Sequence, residues 1–184
     1  MKRSRSQAPE PATATEHPDS RQSEPAGFSD LVGNLDWPMM VVTAQVGDER
    51  VGCLVGFGNQ TSIHPPRFLV CLSRHNHTYR RLSGQRVPMA VHFLSPGDRP
   101  LAEIFGTETG DETDKFSRCA WHEGPDGAPI LKGCDAWLVG RPLAELDLGD
   151  HVGFLLEPVA VGPGRVASQL SLRDVVGMTP GHEA

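Results

Sequence analysis

The apolar residues of this chain come in short, β-branched runs cut off by glycine, proline and acidic residues. That pattern admits strands and little else. Met39–Gln45 and Val51–Phe57 flank the turn signal Gly47-Asp48-Glu49-Arg50 and read as a hairpin. Arg67–Leu72 and Val87–Phe93 are further strands, and Trp121 begins another extended piece before the turn Pro125-Asp126-Gly127. Ala136–Leu146 and His151–Val161 form a long hairpin around Asp147-Leu148-Gly149-Asp150. Ile63-His64-Pro65-Pro66 is a rigid connector, because a proline biases the residue before it toward extended geometry. Helical spacing is confined to short stretches. Phe28, Leu31, Val32 and Leu35 share one face, with Ser29 as a candidate cap. Thr78–Ser83 predicts one or two turns. Asp98–Phe105 predicts a helix capped by Asp98, with Pro100 in its first turn, and Asp111–Cys119 a second one, acidic at its start. Six or more strands with a few short helices beside them give a mostly β, antiparallel barrel, not a doubly wound sheet.

The punctuation also sets the domain limits. Residues 1–26 carry Ser, Pro, Glu, Ala, Thr and Arg without an apolar pattern, so a disordered N-terminal tail is expected. The barrel spans 27–162. In the C-terminal tail, 163–184, periodicity is weak; the tail is weakly ordered or docks through Val166, Leu170, Leu172, Val175 and Val176. The chain has 184 residues, enough for one domain with a real core. Its net charge of −6 comes without a basic block, which argues against nucleic acid as a partner. No segment has the apolar length of a membrane helix, so no membrane association is expected. The basic start Met1-Lys2-Arg3-Ser4-Arg5 is not followed by an apolar stretch and does not read as a secretory signal. Cys53, Cys71, Cys119 and Cys134 are far apart and apolar-flanked, which suits buried free thiols and a cytoplasmic protein.

Chemistry has to come from polar residues, and they concentrate in two places. The chain has no Gly-x-Gly-x-x-Gly, no Walker loop and no Gly-x-Ser-x-Gly elbow. His75 and His77 are either metal ligands with Cys71 or His64, or solvent-facing loop residues. The second reading is preferred and no metal is expected, because no carboxylate or cysteine stands at ligand spacing. Residues 56–62, Gly-Phe-Gly-Asn-Gln-Thr-Ser, put small residues and side-chain amides at the end of a strand. Backbone can come close to a ligand there, and alternating donors and acceptors suit a flat heterocycle. Ser73–Thr78 offers hydroxyls and N–H groups entering a helix, which suits an anion. One cluster for a ring and one for a phosphate is what flavin mononucleotide (FMN) needs; two ordinary polar loops are the alternative. His151 is either a functional residue or part of a turn at the start of a strand.

Six motifs in series carry a resemblance. Val41-Val42-Thr43-Ala44, the stretch 52–70 (GCLVGFGNQTSIHPPRFLV), Leu72-Ser73-x-x-Asn76-x-Thr78-Tyr79, 102–106 (AEIFG), Asp114-Lys115-Phe116 and Gly149-Asp150-His151 resemble the flavin reductase family with its FMN-binding split barrel. The likeness covers about residues 37–160. It implies an antiparallel split β-barrel with a few short peripheral helices. It further implies a homodimer that holds FMN, or FAD as the alternative, near the subunit interface. Val55, Gly56, Phe57, Gly58, Asn59, Gln60 and Ser62 would then line the ring and ribityl chain. Ser73, Asn76, His77 and Thr78 would contact the phosphate. Gly149, Asp150 and His151 would lie where NAD(P)H docks as co-substrate, with His151 as the catalytic candidate. This chain departs from many relatives in having Phe57, Asn59 and Gln60 where they carry hydroxyl residues. Arg80 and Arg81 are either substitutes for a basic phosphate contact or solvated surface. The implied activity is an NAD(P)H-dependent flavin reductase, supplying reduced flavin to a separate monooxygenase. The alternatives are a flavin-holding protein for storage, sensing or electron relay, and a heme or deazaflavin binder on a related barrel.

Overall fold

The structure, a computed structural model, describes residues 25–181. Residues 1–24 and 182–184 lie outside it, and with them nearly all of the stretch read as a disordered tail. The chain divides into two units, one ending at Leu35 and one beginning at Asp36. In the first, α1 is Phe28–Gly33, with Gly27 rather than Ser29 in the capping position.

The second unit is built on strands. These are β1 Met40–Val46, β2 Glu49–Val55, β3 Gly58–Ser62, β4 Arg67–Ser73, β5 Met89–Phe93, β6 Trp121–Glu123, β7 Pro129–Leu131, β8 Trp137–Asp147 and β9 His151–Val161. Seven of them form one sheet in the order β2-β1-β5-β8-β9-β4-β3. Every pairing in it is antiparallel. The sheet curls into a half-barrel with a few short helices: α2 His77–Leu82, α3 Arg99–Thr107 and α4 Leu172–Val175. The mostly β, antiparallel expectation is met. β6 and β7 pair as a separate two-stranded ribbon.

The first five residues of β1, Met40–Ala44, are buried on both faces, and the one polar side chain among them, Thr43, gives its hydroxyl hydrogen to the Pro129 carbonyl. Met40, Val42 and Ala44 pack with Val51, Cys53, Val70, Leu72 and Phe154 inside the curl. Met39 and Val41 pack on the other side with Leu94, Ala102, Phe105 and Phe116. Strand alternation sends successive residues to opposite layers. α3 comes so close on the outer side that a Cβ at Gly52 would lie 2.7 Å from the Phe105 ring.

Two departures from the sequence reading have physical reasons. β3 is a strand despite its polar composition: it is the edge of the sheet, pairs only with β4, and needs no apolar face. Residues 111–119 form turns and a single 3-10 turn, Lys115–Arg118, instead of a longer helix. Adjacent Lys115 and Phe116 are both buried there, and the Lys115 ammonium donates to the Gly52 and Phe105 carbonyls at 3.2 and 3.1 Å. The Asp114 side chain accepts from the Phe116 N–H at 3.0 Å and starts the turn there, and the extended backbone of Cys119 ends it one turn later.

By sequence, residues 163–181 are weakly ordered or docking. They run back across the outer core, where the Leu170 N–H donates to the Leu94 carbonyl and the Met39 N–H to the Leu170 carbonyl, each at 2.8 Å. Leu170 and Val175 are buried with Phe105 and Ala102. Val175→Ala removes two buried methyl groups and is expected to cost about 1.5 kcal/mol, at about 0.8 per buried carbon. A urea denaturation curve with unchanged slope and a lower midpoint would show it; an unchanged midpoint would mean that this segment is not docked.

β5 carries one buried polar side chain. His92 is fully buried, with Nδ1 3.1 Å from the Val41 carbonyl oxygen. Its Nε2 accepts from the Leu131 N–H at 3.0 Å. Because Leu131 donates, Nε2 bears no proton, and Nδ1 donates to Val41. Burial pushes the imidazole pKa down to about 4.

Candidate functional site

The site forms where β2 ends. Gly56 and Phe57 carry the chain from β2 to β3, and β3 returns onto β4 with Gly58 opposite Val70. A Cβ at Gly58 would meet Met40 Cε at 2.8 Å and the Leu69 carbonyl at 3.0 Å. Close strand contact therefore explains that glycine. Gly56 is different: a Cβ there finds only the Met39 thioether, at 3.6 Å and beyond.

Two adjoining cavities share Gly56, Phe57 and Cys71 as walls. The larger, about 340 Å³, is otherwise bounded by Trp37, Pro38, Gly58, Asn59 and Leu69. Trp37, Phe57 and Leu69 make it a slot for a flat apolar ring, in the volume range of cofactor pockets. The smaller, about 120 Å³, is bounded by Leu54, Val55, Ser73, Asn76 and His151. β4 and β9 bring its polar residues together, since Ser73 pairs with His151 in their register. The His151 ring meets the Phe57 ring edge-on, with centroids 5.1 Å apart. His151 Nδ1 lies 2.9 Å from the Asp150 carboxylate. That hydrogen bond holds the Asp150 carboxyl below the usual carboxylate range. With Nδ1 engaged, Nε2 is the nitrogen left for a ligand.

Of the residues singled out from sequence, Val55, Gly56, Phe57, Gly58, Asn59, Ser73, Asn76 and His151 border these cavities. Gln60, Ser62, His77, Thr78, Gly149 and Asp150 do not. Gln60 is occupied within β3, its N–H donating to Asn59 Oδ1 and its Nε2 to the Ser62 carbonyl. Thr78 is buried, and its hydroxyl hydrogen-bonds the Cys53 thiol. Burial raises that thiol to about 11. The Thr78 N–H goes to Asn76 Oδ1 at 2.9 Å, so Asn76 caps α2. His77 faces elsewhere: its ring lies 2.7 Å from Asp111 and 2.9 Å from Glu49. Arg80 and Arg81 complete that cluster by pairing with Asp111 and Glu49. His75 is exposed. Among the described residues no three His, Cys, Asp or Glu side chains gather as a metal would require.

Sequence reasoning missed Trp37, Leu69 and Cys71. A signal for two of them was present. Leu69, Cys71 and Ser73 alternate along β4, so they share the face that leads from the apolar slot to the polar one. Cys71 is half-buried there, and burial raises its thiol pKa.

The pattern of the Flavin reductase like domain matches residues 32–172, more than half of the chain. The chain belongs to that family. As a flavin reductase family member it stands as an oxidoreductase of the flavin reductase kind. Over 124 residues it is 32% identical to the FMN reductase (NADH) RutF of an Enterobacter species, covering 67% of this chain and 74% of that protein. It is 26% identical over 134 residues to HsaB, the reductase subunit of a flavin-dependent monooxygenase of Mycobacterium tuberculosis, covering 72% and 68%. Among solved structures it is similar to the NADH:FAD oxidoreductase SgcE6 of Streptomyces globisporus, with 26% identity, a TM-score of 0.67 and coverage of 77% and 82%. A longer Sinorhizobium meliloti protein matches over 48% of its own length.

Proposed function

We propose that this chain is an NAD(P)H-dependent flavin reductase that binds FMN between Trp37, Phe57 and Leu69 and receives the nicotinamide nucleotide beside His151. The observation that carries this reading is the join between an apolar slot and a polar one across Phe57, with His151 on the far side. The slot's volume and flat apolar walls fit the isoalloxazine ring. A bound flavin supplies the redox chemistry, accepting a hydride from the nicotinamide. The protein's part is placement. Trp37, Leu69 and Phe57 hold the ring and exclude water. Backbone N–H groups of Phe57–Asn59 that the β3–β4 ladder does not take up would be donors to negative charge on the ring. Asn76 and Ser73 border the polar end, where the phosphate would sit. His151, fixed through Nδ1 by Asp150, offers Nε2 to the nicotinamide or its ribose.

The relatives' names support both flavins, FMN for RutF and FAD for SgcE6, so FAD is the alternative cofactor. HsaB's name supports a separate monooxygenase as the consumer of reduced flavin. A second copy of the chain fits the exposed apolar surface at Phe57, Leu146 and Leu148, where Leu148 and Leu69 converge over Gly153. Free cysteines agree with a cytoplasmic setting. No helix among the described residues is long and apolar enough to cross a membrane.

Titrating apo-protein with FMN and FAD, then assaying NADH and NADPH oxidation, tests the reading. Flavin binding without oxidation of either nucleotide would make the chain a flavin holder instead. His151→Ala separates the two slots. It is expected to raise the KM for the nucleotide several-fold while flavin affinity stays within about a factor of three, under 0.7 kcal/mol. A variant that melts earlier with its kinetics intact would reduce His151 to a turn residue.

A further inference from the structure

The proposed nucleotide turn, residues 147–151, is not held by its own hydrogen bonds alone. Gly149 takes a backbone angle of φ +103°, open to glycine and strained for other residues. Within the turn, the Leu148 N–H donates to the His151 carbonyl at 3.1 Å and the Gly149 N–H to Asp147 Oδ1 at 3.1 Å. Further support comes from one residue on the opposite loop. The Arg74 N–H donates to the Asp150 carbonyl at 2.9 Å. Arg74 Nε donates to the Gly149 carbonyl at 2.8 Å. A terminal guanidinium nitrogen lies 2.7 Å from the Asp147 carboxylate. The other donates to the Tyr79 hydroxyl at 3.3 Å, and the guanidinium stands over the Tyr79 ring at 5.9 Å.

We propose that Arg74 is a positioning residue: it ties the loop after β4 to the turn before β9 and so sets where His151 meets the nicotinamide nucleotide. This rests on the reading of the site given above. Arg74 lines neither cavity and touches neither the ring slot nor the His151 side chain. Its side chain reaches the Gly149 carbonyl and the Asp147 carboxylate, and its backbone N–H the Asp150 carbonyl, all on the N-terminal side of His151. A planar fork satisfies the Gly149 and Asp147 contacts together, which a lysine ammonium cannot do in the same geometry. Asn76 of the same loop borders the polar cavity next to Ser73, the last residue of β4.

The test compares Arg74→Gln and Arg74→Lys with the full-length wild type. Arg141→Gln is the control, since Arg141 pairs with Asp126 in an ordinary exposed ion pair. With flavin bound, Arg74→Gln is expected to raise the nucleotide KM about ten-fold, the size one charge-assisted bond is able to give. Flavin Kd and kcat should stay within about three-fold, and Arg74→Lys should recover part of the loss. Arg141→Gln should change neither constant. Hydrogen exchange at the amides of Leu148 and Gly149 should quicken in Arg74→Gln with or without a nucleotide. An unchanged KM, a KM rise matched by an equal loss of flavin affinity, or unaltered amide exchange would each overturn the assignment. If wild-type protein oxidises neither nucleotide with FMN or FAD, the activity reading fails, and the exchange measurement alone then decides whether Arg74 holds the turn.

Discussion

Gly56→Leu is expected to abolish flavin binding and leave the fold standing. Gly56 is a wall of both cavities, and a Cβ at this position meets nothing closer than the Met39 sulfur at 3.6 Å. The protein therefore accommodates the first atom of a side chain without strain. The remaining atoms of a leucine fill the space that the ring would occupy. A loss of at least about 100-fold in FMN affinity follows, about 2.7 kcal/mol, while the melting temperature stays within a few degrees. Gly58→Leu is the contrasting substitution. There the new Cβ runs into Met40 and the Leu69 carbonyl, so stability falls before binding is considered. Isothermal titration beside a melting curve reads both variants. If Gly56→Leu binds FMN as the wild type does, these cavities are not the flavin site.

A second large effect lies in acid. His92 has a pKa near 6.5 when exposed and about 4 when folded, the drop caused first by burial and opposed by the bond to Val41 and by nearby Asp98. Between those values the unfolded chain binds a proton that the folded chain refuses. Stability from this group is complete above pH 6.5, falls as pH drops toward 4, and is constant below that. About 2.5 pKa units at 1.36 kcal/mol each gives a loss on the order of 3 kcal/mol. The carboxylates held low by their partners, Glu49, Asp111, Asp150 and Asp174, lose their contributions at lower pH, since their ordinary values are 4.5 or less. Of these five groups, His92 is the one whose change falls between 6.5 and 4.5. Denaturant titrations at pH 7 and pH 5 should differ, and His92→Gln should flatten the difference while lowering stability at pH 7. Equal slopes in both proteins would show that the folded imidazole takes up its proton as readily as the unfolded one, so that burial does not lower its pKa.

The fold was legible because strand periodicity survives in β1, β2, β4, β5, β8 and β9, each with at least one buried face. β3 was hidden because an edge strand with solvent on its outer side carries no apolar code; its Asn, Gln, Thr and Ser look like a loop. The site was legible in outline and blurred in detail for a similar reason. Sequence places Asn76, His77 and Thr78 side by side, but entry into α2 turns them three ways: Asn76 to the cavity wall and the cap, His77 to Glu49 and Asp111, Thr78 to Cys53. Adjacent residues at a helix start do not share a face, and no composition argument recovers which one meets a ligand. Trp37 and Leu69 were passed over because apolar residues are read as core, and an apolar wall of a cavity has the same composition as a core.

The docking of residues 170–172 has a consequence for the order in which the protein is made. The Leu172 N–H donates to the Trp37 carbonyl at 2.8 Å, and Leu170 bridges Met39 and Leu94. Trp37, a wall of the larger cavity, is thus clamped by a stretch that leaves the ribosome more than a hundred residues later. A nascent chain has all seven strands before that stretch emerges, but the larger cavity still lacks one fixed side. If this cavity is the proposed flavin site, flavin capture is a late event in biogenesis, and a chain stalled before Leu170 should be folded in the sheet and blind to the cofactor.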